Sequence, residues 1–277
     1  MRRIVLSALS PVSFAFLLVT MLAAQSAVSQ PSQAKTTAKT QARKKAPAAA
    51  PATPGQLSSI AVIRVKPEMI NEWIDLNTNT VNPALKKAGV KSRSVWQTAQ
   101  FGESFEYVVI TPIESLAQFD GEPPLRKALG EQGYQAYLEK ARRMITSVHT
   151  YADQERPELS YLGKMTGPPK LVVVADIQVA PGRTADFENL IKTDVLPAVK
   201  KGGALGYFVN QTILGGDISG YASVTVYENF ADLAKGSPLI RGMGPAGYER
   251  FLRKTAGIVV RTQRSVYRFI PNLSFGE

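Results

Sequence analysis

VNPALKKAG (Val81–Gly89) and VLPAVKKGG (Val195–Gly203) are nearly the same nine residues, set 114 positions apart. The same offset, without a gap, pairs Val65-Lys66-Pro67 with Val179-Ala180-Pro181, Gln97-Thr98 with Gln211-Thr212, and Pro124-Leu125 with Pro238-Leu239. It also pairs Gly133-Tyr134 with Gly247-Tyr248, and Pro157, Leu159 and Ser160 with Pro271, Leu273 and Ser274. One period held over nearly the whole apolar region marks a tandem duplication.

Each copy reads in the same order. Ile60–Val65 and Leu171–Val179 are β-rich and stop before a proline, which predicts a first strand. Met69, Trp73, Leu76, Val81 and Leu85, and likewise Phe187, Leu190, Ile191, Val195 and Val199, fall at helical spacing, with Pro83 and Pro197 kinking the helix or restarting its last turn. The repeated nonapeptide is then a helix end. Lys86-Lys87 and Lys200-Lys201 sit where the helix dipole favours cations, and Gly89 and Gly203 where a left-handed cap is wanted. A hairpin follows, turning at Phe101–Ser104 and at Gly215–Asp217, then helices near Gly130–Thr146 and Pro245–Val260, then strands near Val148–Glu155 and Thr262–Ile270.

The reading is α+β, two tandem ferredoxin-like βαββαβ repeats over 58–163 and 164–277. Such a unit covers one face of its sheet with helices and leaves the other face in need of a partner. Two copies joined by a short connector, Tyr161–Lys170, can bury those faces together as an intramolecular barrel.

In this topology, and in the Pro-Ala-x-Lys-Lys-x-Gly helix end, the chain resembles the dimeric α/β-barrel superfamily, nearest to NIPSNAP-like and bacterial exported members of unassigned function. The resemblance implies a range of activities: haem peroxidases, chlorite dismutase-like and haem-degrading proteins, cofactor-free monooxygenases, and members without known catalysis.

Outside the repeats, Arg2-Arg3, an apolar run to Leu22 and small residues from Ala23 to Ser29 read as a signal peptide over 1–29, cleaved after Ala24, Ser26 or Ser29. Residues 30–57, rich in Ala, Pro, Thr and Lys, cannot bury enough apolar surface to order themselves and read as a linker. The expected location is periplasmic or secreted, with no stable membrane span after cleavage. No acidic residue precedes Glu68, and the seven basic residues up to Lys45 supply +7 of the formal +11. The repeats are only mildly basic, which argues against nucleic acid as a partner; Arg43-Lys44-Lys45 could touch the cell envelope.

Chemistry is sparsely signalled. There is no cysteine and one histidine, His149, whose equivalent is Gln263, so neither a thiolate metal site nor a haem motif emerges, and the cofactor is left open. Gly242-Met243-Gly244-Pro245-Ala246-Gly247 matches G-x-G-x-x-G but does not follow a strand in a βαβ unit. Arg126 and Arg241, near helix starts, are anion-binding candidates. By resemblance to the cofactor-free monooxygenases, an apolar or aromatic small molecule would bind in a pocket between sheet and helices. The candidates are Trp96, Glu106 and Tyr107 in copy one and Asn210 and Tyr221 in copy two. Glu106 stands out because Gly220 replaces it in the copy. Three roles follow: a small-molecule binder, an oxidoreductase of aromatic compounds, or an oligomerising structural subunit whose oligomeric state the sequence leaves open.

Overall fold

The computed structural model describes residues 55–165 and 167–276. The leader at 1–29 and all but the end of the linker lie outside the described residues. That end is already structured: strand β1 (Leu57–Val65) starts at Leu57, which pairs with Ile113 on one side and Gln154 on the other.

Helix α1 (Ile70–Leu76) runs through a π-helical turn, Asn77–Val81, into α2 (Asn82–Lys87). Strands β2 (Ser94–Thr98) and β3 (Glu106–Ile113), helix α3 (Pro124–Met144) and strand β4 (Ile145–Glu155) complete the first copy. A two-residue strand β5 (Tyr161–Leu162) lies inside the expected connector. The second copy follows as β6 (Leu171–Val179), α4 (Thr184–Leu190), a π-helical turn Ile191–Val195, α5 (Leu196–Lys201), β7 (Gly206–Leu214) and β8 (Gly220–Tyr227). It closes with α6 (Phe230–Leu233), α7 (Pro238–Met243), α8 (Pro245–Thr255) and β9 (Val259–Phe269).

Both prolines restart the helix. Each falls in the first turn of α2 or α5, where its missing N–H has no intrahelical partner to lose, and the π-helical turn before it absorbs the change of hydrogen-bond register. In copy one the Asn77 side-chain amide donates to the Trp73 carbonyl at 2.8 Å, satisfying an acceptor at that irregularity. The helix ends as the sequence predicts, with Gly89 at φ +89° and Gly203 at φ +70°.

Each copy orders its sheet as the ferredoxin-like unit requires, β4-β1-β3-β2 and β9-β6-β8-β7. Two antiparallel seams join them, Trp96↔Phe269 to Thr98↔Tyr267 and Asp153↔Thr212 to Glu155↔Asn210. The result is a closed eight-stranded antiparallel barrel with the two copies as its halves. Closure removes most of the edge backbone that an open sheet would leave unpaired. Among the described residues no helix is long and apolar enough to cross a membrane.

The helices pack on the outside. In copy one Trp73, Leu76 and Val81 cover Val95, Tyr107 and Val109; in copy two Phe187, Leu190 and Val195 cover Val209, Tyr221 and Val179. The tails after β4 and β9 cross over: Leu159 completes the core of copy two and Leu273 that of copy one, both fully buried. Ser160 accepts from the Val209 N–H and Ser274 from the Val95 N–H, each at 2.9 Å. Lys86 lies 5.2 Å over the ring of Phe275 and Lys200 5.3 Å over that of Tyr161. The lysines of the repeated nonapeptide therefore cover the tail that arrives from the other copy.

The glycine-rich run has a packing role too. A Cβ on Gly242 would stand 1.9 Å from the Ala198 carbonyl oxygen, and one on Gly202 1.9 Å from that of Pro238. α5 and α7 thus cross backbone to backbone, where copy one has Ala88 and Ala128. Gly244, at φ +70°, is the joint between α7 and α8.

Candidate functional site

Period-two alternation sends every second strand residue into the barrel, and a cavity of about 490 Å³ remains there. The volume lies in the range of small-molecule sites. Its apolar wall is Val62, Trp96, Val108, Val172, Val174 and Val224; its polar groups include Glu106, Asp153, Asp176, Tyr151, Tyr267 and Thr212. Glu103, Asp217 and the exposed Arg261, Gln263 and His149 also line it. The trough is thus an apolar surface with acids set into it.

Three of the lining carboxyls, the buried Glu106 and Asp153 and the more exposed Asp176, differ in company. Glu106 is buried, accepts a hydrogen bond from the Tyr267 hydroxyl at 2.9 Å and lies 3.8 Å from the Arg64 guanidinium. Burial and then Glu106 push the Tyr267 phenol well above the ordinary tyrosine range. Asp176 is raised by burial and by Glu106, with Arg261 pulling the other way. Asp153 is 5% exposed, and its Oδ1 has no hydrogen-bond partner among the described residues. Burial pushes its carboxyl up to about 6; Thr212 across the seam opposes the shift and Asp176 adds to it. Tyr151, two residues earlier on β4, is also raised by burial and by Asp153. Among the described residues no cluster of three His, Cys, Asp or Glu could hold a metal ion.

The structure brings Trp96 and Glu106 into this cavity, sets Tyr221 at its edge and sends the other sequence candidates elsewhere. Tyr107 points outward into the helix-covered core, its ring 5.8 Å from that of Trp73. Tyr221 touches the cavity edge, but its ring packs on Phe187 at 4.8 Å and its hydroxyl donates to Glu188 at 2.9 Å. Asn210 lies opposite Ala222 and Glu155 in its ladders and is not among the lining residues. Arg126 lies over Tyr134 at 4.9 Å and pairs with Glu131 at 3.4 Å. Arg241 donates through Nε and Nη2 to the Gly202 carbonyl and through Nη1 to that of Gly236, so it holds the end of α5. The cavity therefore lies between the two sheets and not between a sheet and its helices. Aromatic pairs, Trp73 with Tyr107 and Phe187 with Tyr221, fill the expected location.

Sequence reasoning missed Asp153, Asp176 and Tyr267. Their signal was present as divergence at equivalent positions: Asp153 matches Tyr267 and Asp176 matches Val62. It also missed Arg93, buried among neutral acceptors. Its Nη1 donates to Asn82 Oδ1 at 2.7 Å and to the Leu273 carbonyl at 3.0 Å, and its Nη2 to Asn77 Oδ1 at 2.8 Å. Burial draws this guanidinium down to about 10.

No family model and no curated relative matches this chain. Solved structures do resemble it. A presumed monooxygenase from Fusobacterium nucleatum superposes with a TM-score of 0.53 at 11% identity, over 78% of this chain and 92% of the other. An anthrone oxidase-like protein gives a TM-score of 0.53 at 11% identity, over 78% and 91%. A chlorite dismutase variant from Candidatus Nitrospira defluvii gives 0.52 at 10% identity, over 79% and 93%. At such identities the likeness is one of fold, and the fold is that of the dimeric α/β-barrel.

Proposed function

We propose that this chain binds a small, mainly apolar or aromatic molecule inside the barrel. The observation that carries the reading is the 490 Å³ cavity with an apolar wall and a few convergent polar groups. Trp96 in its wall is a reporter. Native mass spectrometry of protein purified from its own host, followed by Trp96 fluorescence titration of any released compound, tests it. An Ala222→Phe variant, which puts a ring into the cavity, should abolish binding; binding that survives in that variant overturns the reading.

A second reading, oxidation of the bound aromatic in the manner of a monooxygenase, draws support from the fold shared with the presumed monooxygenase and from Asp153, a buried carboxyl able to take a proton near neutral pH. A haem-dependent version suits the residues poorly. His149 is an exposed side chain at the cavity mouth, and Glu106, Asp153 and Asp176 would repel haem propionates. Oxygen uptake on adding the released compound, lost in Asp153→Asn, tests the enzymatic reading.

The leader-like N-terminus supports export to the periplasm or beyond, and N-terminal sequencing of the protein from cell fractions tests it. A NIPSNAP-like affiliation rests on the Pro-Ala-x-Lys-Lys-x-Gly helix end. Val148 and Val260, on parts of β4 and β9 exposed on both faces, support self-association, which light scattering tests.

A further inference from the structure

The two halves of the barrel treat one position in opposite ways. In one half Glu106 on β3 meets the Tyr267 hydroxyl from β9, a donor facing an acceptor across a seam. In the other half, Asp153 stands where Tyr267 would and Gly220 where Glu106 would. An acceptor replaces the donor, and the group that faced it is removed. A Cβ on Gly220 would stand 2.8 Å from the Asp217 carbonyl oxygen and 3.6 Å from Thr212 Oγ1, so this position brings no side chain to Thr212, the register partner of Asp153.

Charge points the same way. The acids Glu103, Glu106, Asp153, Asp176 and Asp217 line the cavity against one lining guanidinium, Arg261. Arg64 reaches Glu103 at 3.2 Å and Glu106 at 3.8 Å, and Arg261 acts on Asp176. Among the described residues no cation acts on Asp153, although it is the carboxyl with a buried oxygen lacking a hydrogen-bond partner. Buried anions are ordinarily paired, so a cation is the group this half lacks.

We propose that the molecule bound in the barrel is a small organic amine: an apolar ring or chain bearing one protonated amino group, seated against Asp153 beside Gly220. Its apolar part lies over Trp96, Val108 and Val224. The proposal rests on the reading of the cavity as a ligand site and adds the chemical class of the ligand.

Three probes of one shape separate the possibilities: 2-phenylethylamine, 2-phenylethanol and phenylacetate, titrated into the full chain at pH 7.5 by calorimetry and by Trp96 fluorescence. The amine should bind at least tenfold more tightly than the alcohol, and phenylacetate should be the weakest. Asp153→Asn should bring the amine down to the level of the alcohol while leaving the alcohol unchanged, and a thermal melt shows that the variant is folded. Equal binding of amine and alcohol, both reduced by Ala222→Phe and indifferent to Asp153→Asn, overturns the amine proposal and keeps the cavity reading. Failure of all three probes to bind overturns both.

Discussion

Replacing Asp153 by Asn should stabilise the protein, and only above about pH 4. The folded state holds the Asp153 proton to about pH 6, whereas the unfolded chain releases it near 3.8. Between those values the folded state binds more protons, so stability falls as pH rises, and the full cost is present once both states are ionised. Each pH unit is worth about 1.4 kcal/mol, so the penalty at pH 8 is about 3 kcal/mol, an upper figure because water can penetrate an open cavity. For a chain of this size that corresponds to roughly 6–12 °C in Tm. Asparagine keeps the shape of the protonated carboxyl without its charge. Urea melts of wild type and Asp153→Asn at pH 4, 6 and 8 should nearly coincide at pH 4 and diverge in favour of the variant at pH 8. A difference that stays constant with pH, or that favours wild type at pH 8, refutes the claim that Asp153 is buried without a compensating cation.

Other expectations concern the scaffold. Gly242→Ala puts a methyl 1.9 Å from the Ala198 carbonyl oxygen and should cost about 1–3 kcal/mol by forcing α7 off α5, whereas Ala128→Gly in copy one should cost about 1 kcal/mol or less; chemical denaturation compares them. Leu159→Ala and Leu273→Ala each empty a fully buried site and should each cost about 3 kcal/mol, with hydrogen exchange rising in the copy opposite to the mutated tail. Arg93→Ala leaves two asparagine oxygens and the Leu273 carbonyl without their donor and should cost about 2–4 kcal/mol, whereas removal of the solvent-exposed Lys91 should leave the melt nearly unchanged.

The duplication, the βαββαβ order, the helix end at the repeated nonapeptide and the α/β-barrel were all legible from the chain, because each is written in local signals. Periodicity marks which face of an element is apolar, proline and glycine mark where it stops, and the offset of 114 shows that both copies obey one pattern. A bare sheet face then needs a partner, and the second copy is always at hand.

The site was legible only in part. Trp96 and Glu106 reach the cavity because strand alternation puts them there, but the residues that set its chemistry come from strands far apart in sequence. Tyr267 meets Glu106 across 161 residues, and Asp153 meets Thr212 only where the two sheets close. Alternation tells which residues share a face and leaves open which face meets helices and which meets the opposite sheet, so Tyr107 packs under the helices and Tyr221 reaches only the cavity edge. Burial decides the rest: a carboxyl keeps its ordinary proton affinity in the sequence and loses it only when the barrel closes around it and leaves its charge unmatched.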